Sequence, residues 1–346
     1  MILNGNPTKT RRRARIAALV LSGGLLGTAS LWAQDLGAAK SFAILSSGAD
    51  VSFRNRVQVS QPSVTGAACP GAVGCPGSIG GTTILMGRGN SSSPDTVSGD
   101  VIATATSSQG LNCANNPPGT TAICLGNDSE IAGACVTGGG AVSSPSECDA
   151  GTDASGSNPE LATLQQASAA VSSFSSSLAA LAGTQSLAAI TVGTGGTAAI
   201  TGGAGANVVN VPSITAGNKS TITINAGASE TMVINIGSST DPGSLQLGNH
   251  GSVILSGGIT ADRVVFNLVG SGATAQLGND TVFNGTILAP SGQFTCGDGE
   301  TPRPILINGA LLFGGSVSLG NNVNLNFYPS SVTSGSSTGG SSGPSS

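Results

Sequence analysis

The sequence predicts a mainly β protein in which short strands coil into an irregular solenoid, and three observations predict it. Between residues 187 and 327, short apolar runs alternate with Gly, Asn or Pro, as strands joined by turns do. The motif Leu-Gly-Asn begins at Leu247, Leu277 and Leu319, and a new apolar strand follows each copy. Asn and Gly also interrupt strands from within, as in Thr281–Pro290. A stacked coil explains all three patterns, while a β-sandwich with Gly-Asn turns remains the alternative.

The first 33 residues have the order of a secretory signal peptide. Five basic residues precede an apolar run that extends from Ile16 to Leu31, and Ala33 is a small residue at the expected cleavage point. An uncleaved membrane anchor is the alternative, but glycines at 23, 24 and 27 disfavour a spanning helix. We therefore expect a protein that is secreted or held at a bacterial cell surface.

Residues 34–60 read as the first strands of the solenoid, and residues 61–157 read as a loop insertion rich in Cys, Gly and Pro. Six of the seven cysteines lie in this insertion, and in an exported chain such a cluster predicts disulfide bonds. A metal site is the weaker alternative, because the cluster lacks a Cys-x-x-Cys pair and a histidine. The disulfide candidates are Cys69, Cys75, Cys113, Cys124, Cys135 and Cys148, and Cys296 stands apart.

Residues 158–183 are predicted to form one long α-helix. Asn158 is a suitable N-cap, Pro159 suits the first helical position and Gly183 supplies a stop. A narrow apolar stripe runs between these ends, formed by Leu161, Leu164, Val171, Phe174, Leu178 and Leu181.

Residues 184–329 are predicted to form the core of the β-helix, and residues 330–346 a flexible Ser/Gly tail. In a stacked coil, an Asn side chain can bond to the coils above and below, and Gly lets the backbone bend. Leu-Gly-Asn is then a corner at which Gly and Asn accept left-handed backbone. The residues predicted to form structural corners or ladders are Asn225, Asn235, Asn267, Asn284, Gly285 and Asn308.

Composition excludes several kinds of partner. Removal of the first 33 residues leaves 7 basic and 16 acidic residues, a net charge of 7 − 16 = −9, without a basic cluster for nucleic acid. Mean hydropathy is positive at +0.22, so the chain can bury a core despite its 54 glycines. The one Trp lies in the expected signal peptide and the one Tyr is Tyr328, so the chain lacks aromatic platforms for sugar stacking.

Several segments carry a resemblance to known families. Phe266-Asn267, Gly285–Pro290 and Asn308-Gly309 resemble the closing motifs of the bacterial surface domains called choice-of-anchor A. The opening Asp35–Leu45 is similar to that family and to ice-binding proteins of the DUF3494 type. The resemblance implies an irregular right-handed β-helix with the long helix packed alongside, and the segment 61–157 departs from both patterns.

Catalysis is not expected. The sole histidine, His250, sits in a predicted corner, so a Ser-His-Asp or Cys-His device lacks support. The few acids between residues 187 and 328 do not form a recognisable carboxylate pair, and Cys296–Glu300 lacks the spacing of a calcium loop. We predict no enzyme activity, no cofactor and no metal.

Two functions remain. The leading hypothesis is an exported structural or adhesive module that binds matrix, glycan or surface proteins through broad hydroxyl and amide surfaces. The alternative is an ice-binding protein, for which Thr221 and Thr223 would lie on one flat strand face. Neighbouring strands put Val, Asn or Leu where further Thr would be wanted, so this array is incomplete.

Overall fold

The computed structural model describes residues 35–61, 78–87, 94–106, 120–126 and 128–334. The expected signal peptide, residues 335–346 of the predicted tail, and Cys69, Cys75 and Cys113 lie outside the described residues. Among the described residues, no helix is both long and apolar enough to span a membrane.

Twelve described strands precede the long helix and form what we call the N-terminal arm. They are β1 (Phe42–Ser46), β2 (Val51–Phe53), β3 (Val57–Ser60), β4 (Ser78–Gly81), β5 (Ile84–Leu85), β6 (Asp95–Val97), β7 (Val101–Ala103), β8 (Thr121–Cys124), β9 (Ser129–Ile131), β10 (Cys135–Thr137), β11 (Ala141–Val142) and β12 (Thr152–Asp153).

Helix α1 (Pro159–Ala179) follows, and eighteen strands after it form the C-terminal arm. They are β13 (Gln185–Ser186), β14 (Ile190–Val192), β15 (Thr197–Thr201), β16 (Ala206–Val211), β17 (Ser213–Ala216), β18 (Thr221–Asn225), β19 (Thr231–Ile236), β20 (Ser244–Leu247), β21 (Ser252–Ser256), β22 (Val264–Leu268), β23 (Thr274–Leu277), β24 (Val282–Asn284), β25 (Thr286–Ala289), β26 (Gln293–Cys296), β27 (Ile305–Gly309), β28 (Leu311–Phe313), β29 (Val317–Leu319) and β30 (Val323–Phe327). Among the described residues, three short 3-10 helices span Gly37–Ser41, Pro145–Glu147 and Ala261–Arg263.

The strands form three parallel sheets, and successive strands pass from one sheet to the next, so the protein is a β-helix as predicted. Sheet A runs in the order β12-β10-β7-β4-β1-β28-β25-β22-β19-β16-β13. Sheet B runs β11-β8-β5-β2-β29-β26-β23-β20-β17-β14, and sheet C runs β15-β18-β21-β24-β27-β30-β3-β6-β9.

The order of the coils in space differs from their order in the chain. The first coil, β1 to β3, pairs on one side with the last coil, β28 to β30, and on the other with β4 to β6. The N-terminal arm therefore stacks outward from the middle of the solenoid. Helix α1 returns along sheet A, where it contacts strands from β10 to β19, and the C-terminal arm stacks back to the first coil.

The segment 61–157 differs from the loop insertion that we expected. Its described residues form strands β4 to β12, which extend all three sheets beyond β1 to β3. These strands have two to four residues each, too few for a strand pattern to stand out among Gly, Pro and Ser. The first strands, 34–60, and this segment therefore belong to one stack.

Alternation along most strands of sheets B and C builds the core, whereas strands of sheet A such as β1 and β22 are buried throughout. In β18, Ile222 and Ile224 are buried whereas the residues between them are half-buried, and β27 and β30 repeat that pattern. Aromatic rings from neighbouring coils fill the interior, with the Phe266 and Phe283 ring centroids 4.9 Å apart. The interior is thus a continuous stack of apolar side chains.

Helix α1 begins where predicted and ends earlier. The Asn158 side chain accepts a hydrogen bond of 2.9 Å from the Glu160 N–H, and Pro159 occupies the first turn. The helix ends at Ala179 rather than near Gly183. Its buried face contains Leu164, Ala167, Val171, Phe174 and Leu178, while Leu161 and Leu181 are only partly buried.

The Leu-Gly-Asn motifs form the corners between sheets B and C, but left-handed backbone falls one residue later than expected. His250, Asp280 and Asn322, which follow the three motifs, have φ values of 57°, 53° and 55°. The motif glycines serve close stacking instead: a Cβ on Gly278 would lie 2.6 Å from the Gly248 carbonyl carbon.

The Asn of each motif bonds to the next coil along these corners. Asn249 Oδ1 accepts from the Asn279 N–H at 3.0 Å, and Asn279 Oδ1 accepts from the Asp298 N–H at 3.0 Å. Asp298 Oδ1 accepts in turn from the Asn321 N–H at 2.8 Å. The motif therefore repeats because each coil needs the same acceptor at the same corner.

Candidate binding faces

The three sheets present different outer faces. Helix α1 covers part of sheet A, through contacts with β7, β10, β19, β22 and β25. Sheets B and C alternate buried residues with exposed or half-buried ones, so their outward side chains contact solvent. Any surface for an external partner along the stack is therefore best sought on sheets B and C.

Strand register on sheet B aligns its outward side chains into two columns, which we call the B-face. The first column crosses seven coils and the second crosses four. The first column is Thr191, Thr215, Gln246, Gln276, Thr295, Ser318 and Ser52, and the second is Ser213, Ser244, Thr274 and Gln293.

The B-face is uncharged, polar and supported from below. Its residues are all Ser, Thr or Gln, and no described residue forms a side-chain hydrogen bond with them. Buried Leu245, Ala275 and Phe294 lie between them along the strands. At about 4.8 Å per strand, the seven-coil column is roughly 29 Å long. Its next position on the N-terminal arm is Leu85, which is 43% exposed and ends the polar column.

Thr221 and Thr223 lie on the outer face of sheet C, as their spacing predicted. Thr221 aligns with Thr197 and Ser252, and its hydroxyl is 3.1 Å from the Ser252 hydroxyl. Beyond Ser252 the same column continues with Val282 and Leu306. The hydroxyl array on sheet C is therefore short, and two of its hydroxyls, those of Thr221 and Ser252, form a hydrogen bond with each other.

The column of Thr223 is shorter still. Thr223 aligns with Ala199 on one side and with Ile254 on the other, and Ile254 is 41% exposed. The sequence pointed to this strand because Thr221 and Thr223 are two residues apart on one face of it. It did not reveal the B-face, because each coil contributes only one residue to each column.

Asn235 and Asn267 lie within strands of sheet A under helix α1. Asn267 is fully buried; its amide group donates to the Ser175 carbonyl at 3.1 Å and to Asn235 Oδ1 at 2.9 Å, and its Oδ1 accepts from the Ser175 hydroxyl at 2.6 Å. Asn235 donates to the Leu178 carbonyl at 3.0 Å and to Asn210 Oδ1 at 3.1 Å. These asparagines join the helix to the sheet.

Asn284 and Asn308 lie at the ends of sheet C strands, where the chain turns toward sheet A. Asn308 donates to Asn284 Oδ1 and Asn326 donates to Asn308 Oδ1, both at 2.8 Å. Gly285, with φ 132°, separates β24 from β25, and a Cβ there would lie 3.0 Å from the Phe266 ring. Asn225 ends β18, where its carbonyl accepts from the Gly202 N–H at 2.8 Å.

The described cysteines fall into two groups. Cys135 and Cys148 form a disulfide bond with Cα atoms 5.9 Å apart, and Cys124 is also disulfide-bonded. Cys296 is a free thiol in β26, and burial raises its pKa to about 12. Such a thiol is a poor nucleophile at neutral pH.

No arrangement for catalysis stands out among the described residues. His250 Nδ1 lies 3.4 Å from Asp280 Oδ2, and both side chains belong to successive corners. No described hydroxyl or thiol forms a hydrogen bond with the His250 ring, as the nucleophile of a catalytic pair would. The described residues also contain no group of three or more His, Cys, Asp or Glu able to hold a metal ion.

Comparisons with known structures return ice-binding proteins. One from the Antarctic ascomycete Antarctomyces psychrotrophicus is 20% identical, with 84% of this chain and 98% of that chain covered and a TM-score of 0.47. LeIBP from an Arctic yeast is 14% identical, with 85% and 94% covered and a TM-score of 0.47. The DUF3494 domain of a Shewanella frigidimarina ice-binding protein is 14% identical, with 86% and 98% covered and a TM-score of 0.47.

A search of curated proteins by sequence finds no match. The family model described as "Putative Ice-binding-like adhesive domain" matches residues 42–324, which include both arms and the helix. The narrower resemblance to choice-of-anchor A stays a prediction. The chain belongs to the family of ice-binding-like adhesive domains.

Proposed function

We propose that this protein is an exported, non-enzymatic adhesive module that binds an extended, neutral, hydroxyl-rich surface through the B-face. One observation carries the proposal: two aligned columns of Ser, Thr and Gln without charge and without intramolecular side-chain bonds to described residues. A neutral polysaccharide presents matching groups, because sugar hydroxyls donate and accept as these side chains do.

The physical advantage of the B-face is its rigidity. Each hydroxyl or amide contact is weak, since it replaces a bond to water. Parallel strands fix the spacing of all eleven groups, so one binding event aligns many contacts and orders few side chains. Uncharged groups also avoid the large desolvation cost of charges at a dry interface.

Export is part of this proposal. The predicted signal peptide supports it, and so do the disulfide bonds of Cys124 and of Cys135 with Cys148, because disulfides persist in oxidising compartments. The family description, with its reference to adhesion, fits the same location.

Binding to insoluble cellulose and chitin tests the proposal. The informative variant is Thr215→Lys, which puts a charge and a long side chain at the second position of the first column, beside Ser213 of the second. Thr223→Lys is its matched control, since it makes the same change at an outward position of sheet C. We expect the purified full chain to be retained on at least one polysaccharide, Thr215→Lys to lose most retention and Thr223→Lys to keep it.

Two results would overturn this assignment. If both variants, shown to be folded by circular dichroism, are retained like the unmodified chain, the B-face is not the binding surface. If Thr223→Lys alone loses retention, the surface is the sheet C face around Thr221 and Thr223.

Ice is the second candidate ligand. The observation that favours it is the run of hydroxyls at single-strand spacing at each end of the first column, Thr191 with Thr215 and Thr295 with Ser318 and Ser52. Inhibition of ice recrystallisation at micromolar concentration, lost in Thr215→Lys and in a reduced and alkylated sample, would place ice ahead of polysaccharide. If the folded protein does not inhibit ice recrystallisation, ice is excluded as the ligand.

A further inference from the structure

A polar groove lies where the two arms meet on sheet C, and we call it the junction groove. Its volume is about 240 Å³. Arg56 and Gln58 contribute one wall from the N-terminal arm, and Asn322 and Asn324 contribute another from β30 and the corner before it. Residues 301 and 302, in the connection between β26 and β27, supply Thr301 and Pro302 to the remaining side.

Hydrogen bonds from backbone and side-chain groups hold the walls in place. The Val323 N–H donates to the Arg56 carbonyl at 3.2 Å, and the Asn322 side chain donates to the Glu300 carbonyl at 3.0 Å. The guanidinium of Arg56 donates to the Thr301 hydroxyl at 3.4 Å. Strand, corner and loop therefore form one frame around the groove.

Several hydrogen-bonding groups of the groove have no partner in the described protein. No described residue forms a hydrogen bond with the side-chain amide of Gln58 or Asn324, which align on neighbouring strands. The Arg56 guanidinium forms no ion pair with a described carboxylate. One cation and two amides with free bonding capacity thus share a small cavity.

Local charge differs from that of the whole chain. Arg54 pairs with Asp298 at 3.5 Å, which neutralises both groups. Of the remaining charged residues nearby, Arg56 and Arg303 are positive and exposed, and Glu300 is negative and exposed. Asp95 and Asp280 are buried, and their carboxyl groups accept from the Val57 and Glu300 N–H groups. Among the residues that line the groove, Arg56 is the one that carries a charge, so the lining itself is positive and suits an anion.

We propose that the junction groove binds a carboxylate-bearing sugar residue, such as a uronate of an acidic polysaccharide. Arg56 binds the carboxylate through its planar fork of donors, and Gln58 and Asn324 bond to ring hydroxyls. The cavity is below the range of drug-sized ligand sites, so it accepts a single sugar ring of a longer chain. This site is separate from the neutral B-face and does not depend on it.

Titration of the purified full chain with trigalacturonate, followed by calorimetry or by ligand-observed NMR, tests this proposal. Neutral galactotriose is the matched ligand. We expect trigalacturonate to bind, galactotriose to bind at least about tenfold more weakly, and added salt to weaken the acidic ligand.

The matched protein variants are Arg56→Gln and Lys219→Gln. Both remove a positive charge from a corner residue with left-handed backbone, at φ 60° and 57°, but only Arg56 lines the groove. Arg56→Gln should weaken trigalacturonate binding about tenfold, as expected for loss of a charge-assisted contact, while Lys219→Gln leaves it unchanged. Gln58→Ala, at an exposed side chain, should also weaken it without disturbing the fold.

Three outcomes would overturn the proposal. Equal binding of the neutral and acidic trisaccharides would remove the role of the carboxylate. If Arg56→Gln and Lys219→Gln lose the same amount of trigalacturonate affinity, the effect comes from the overall charge of the protein and not from the groove. If inorganic phosphate or sulfate displaces trigalacturonate as effectively as free galacturonate does, the groove is a general anion site. None of these bears on the B-face, because Thr215→Lys should leave trigalacturonate binding intact.

Discussion

The N-terminal and C-terminal arms build the same three-sided coil but stabilise it differently. Strands of the C-terminal arm reach six residues, and Asn side chains such as Asn284 and Asn308 bond from coil to coil. Strands β4 to β12 have four residues or fewer. There the described structure contains the disulfide between Cys135 and Cys148 and the buried carboxylate of Asp95, which accepts from the Val57 N–H at 2.7 Å.

The difference shows what a ladder of side chains needs. An amide ladder forms only where successive strands present the same residue type at the same register, as Asn308 and Asn326 do. Short strands offer few such positions. In the N-terminal arm the ladder is therefore replaced by a covalent cross-link and by single carboxylates that accept from backbone N–H groups. Three predictions test this contrast, from the largest expected effect to the smallest.

Removal of the Cys135–Cys148 disulfide should give the largest effect. The two cysteines are 13 residues apart, and a bond that closes a loop of about this length stabilises a protein by about 3 kcal/mol. Cys135→Ser with Cys148→Ser should lower the free energy of unfolding by that order, measured by chemical denaturation. Amide hydrogen exchange should quicken first in β9 to β12.

Cys296→Ser is the control for this change, because it removes a thiol from the C-terminal arm without removing a cross-link. Exchange that quickens uniformly in both arms of the double variant would contradict a separate mode of stabilisation for the N-terminal arm.

A smaller effect is expected from the ladder under the helix. Asn267→Ala leaves the Ser175 hydroxyl, the Ser175 carbonyl and Asn235 Oδ1 without their partner in a buried place. The expected loss is about 2 kcal/mol, since buried polar groups that lose their partners cost more than exposed ones. Asn308→Ala removes two ladder bonds at a half-buried position, where water can replace them, and should cost about 1 kcal/mol or less.

Thermal or chemical unfolding of the two variants under one set of conditions measures this difference. Equal losses of unfolding free energy in the two variants would show that burial under helix α1 does not strengthen the ladder bonds.

The smallest effect concerns Glu160 at the start of α1. Its Oε2 is buried without a partner among the described residues, and burial, with the charges of Asp100 and Asp153, raises its pKa from 4.5 to about 7. Between these values the folded state binds more protons than the unfolded state, so the free energy of unfolding falls as pH rises. The Glu160→Gln variant lacks this pH-dependent contribution to the free energy of unfolding.

The stability of Glu160→Gln relative to the unmodified chain should therefore rise from about pH 5 to about pH 8. The change is on the order of 1 kcal/mol once solvent screening is allowed for. The raised pKa of Asp95 acts in both proteins and cancels in the difference. Parallel stability curves across this range would contradict the assignment.

Much of the local structure was predictable from the sequence. Asn158 and Pro159 marked the helix start, and four residues of the apolar stripe are buried: Leu164, Val171, Phe174 and Leu178. Leu161 and Leu181 of the stripe are only partly buried. The Leu-Gly-Asn repeats marked real corners, because a corner requires a small residue and a side-chain acceptor wherever it occurs. The left-handed residue was misplaced by one position, since His250, Asp280 and Asn322 share no residue type that would reveal it.

The B-face was not predictable by the same means. Thr215, Gln246 and Gln276 belong to different coils and form a column only after the strands are paired in register. The segment 61–157 was taken for loops for a related reason: strands as short as Ile84–Leu85 are specified by the strands on either side of them.

The start of the helix, the Leu-Gly-Asn corners and the inward residues of strands such as β18 can be predicted from local patterns, because each depends on residues close together in the chain. The position of β1 between β28 and β4, and with it the set of side chains that share a column, follows from the stacking of the coils. The pairing of β1 with β28 joins residues more than 260 positions apart, such as Ile44 and Leu311. It depends on the stacking of whole coils and on the roughly 31 Å return of α1, which no local pattern records.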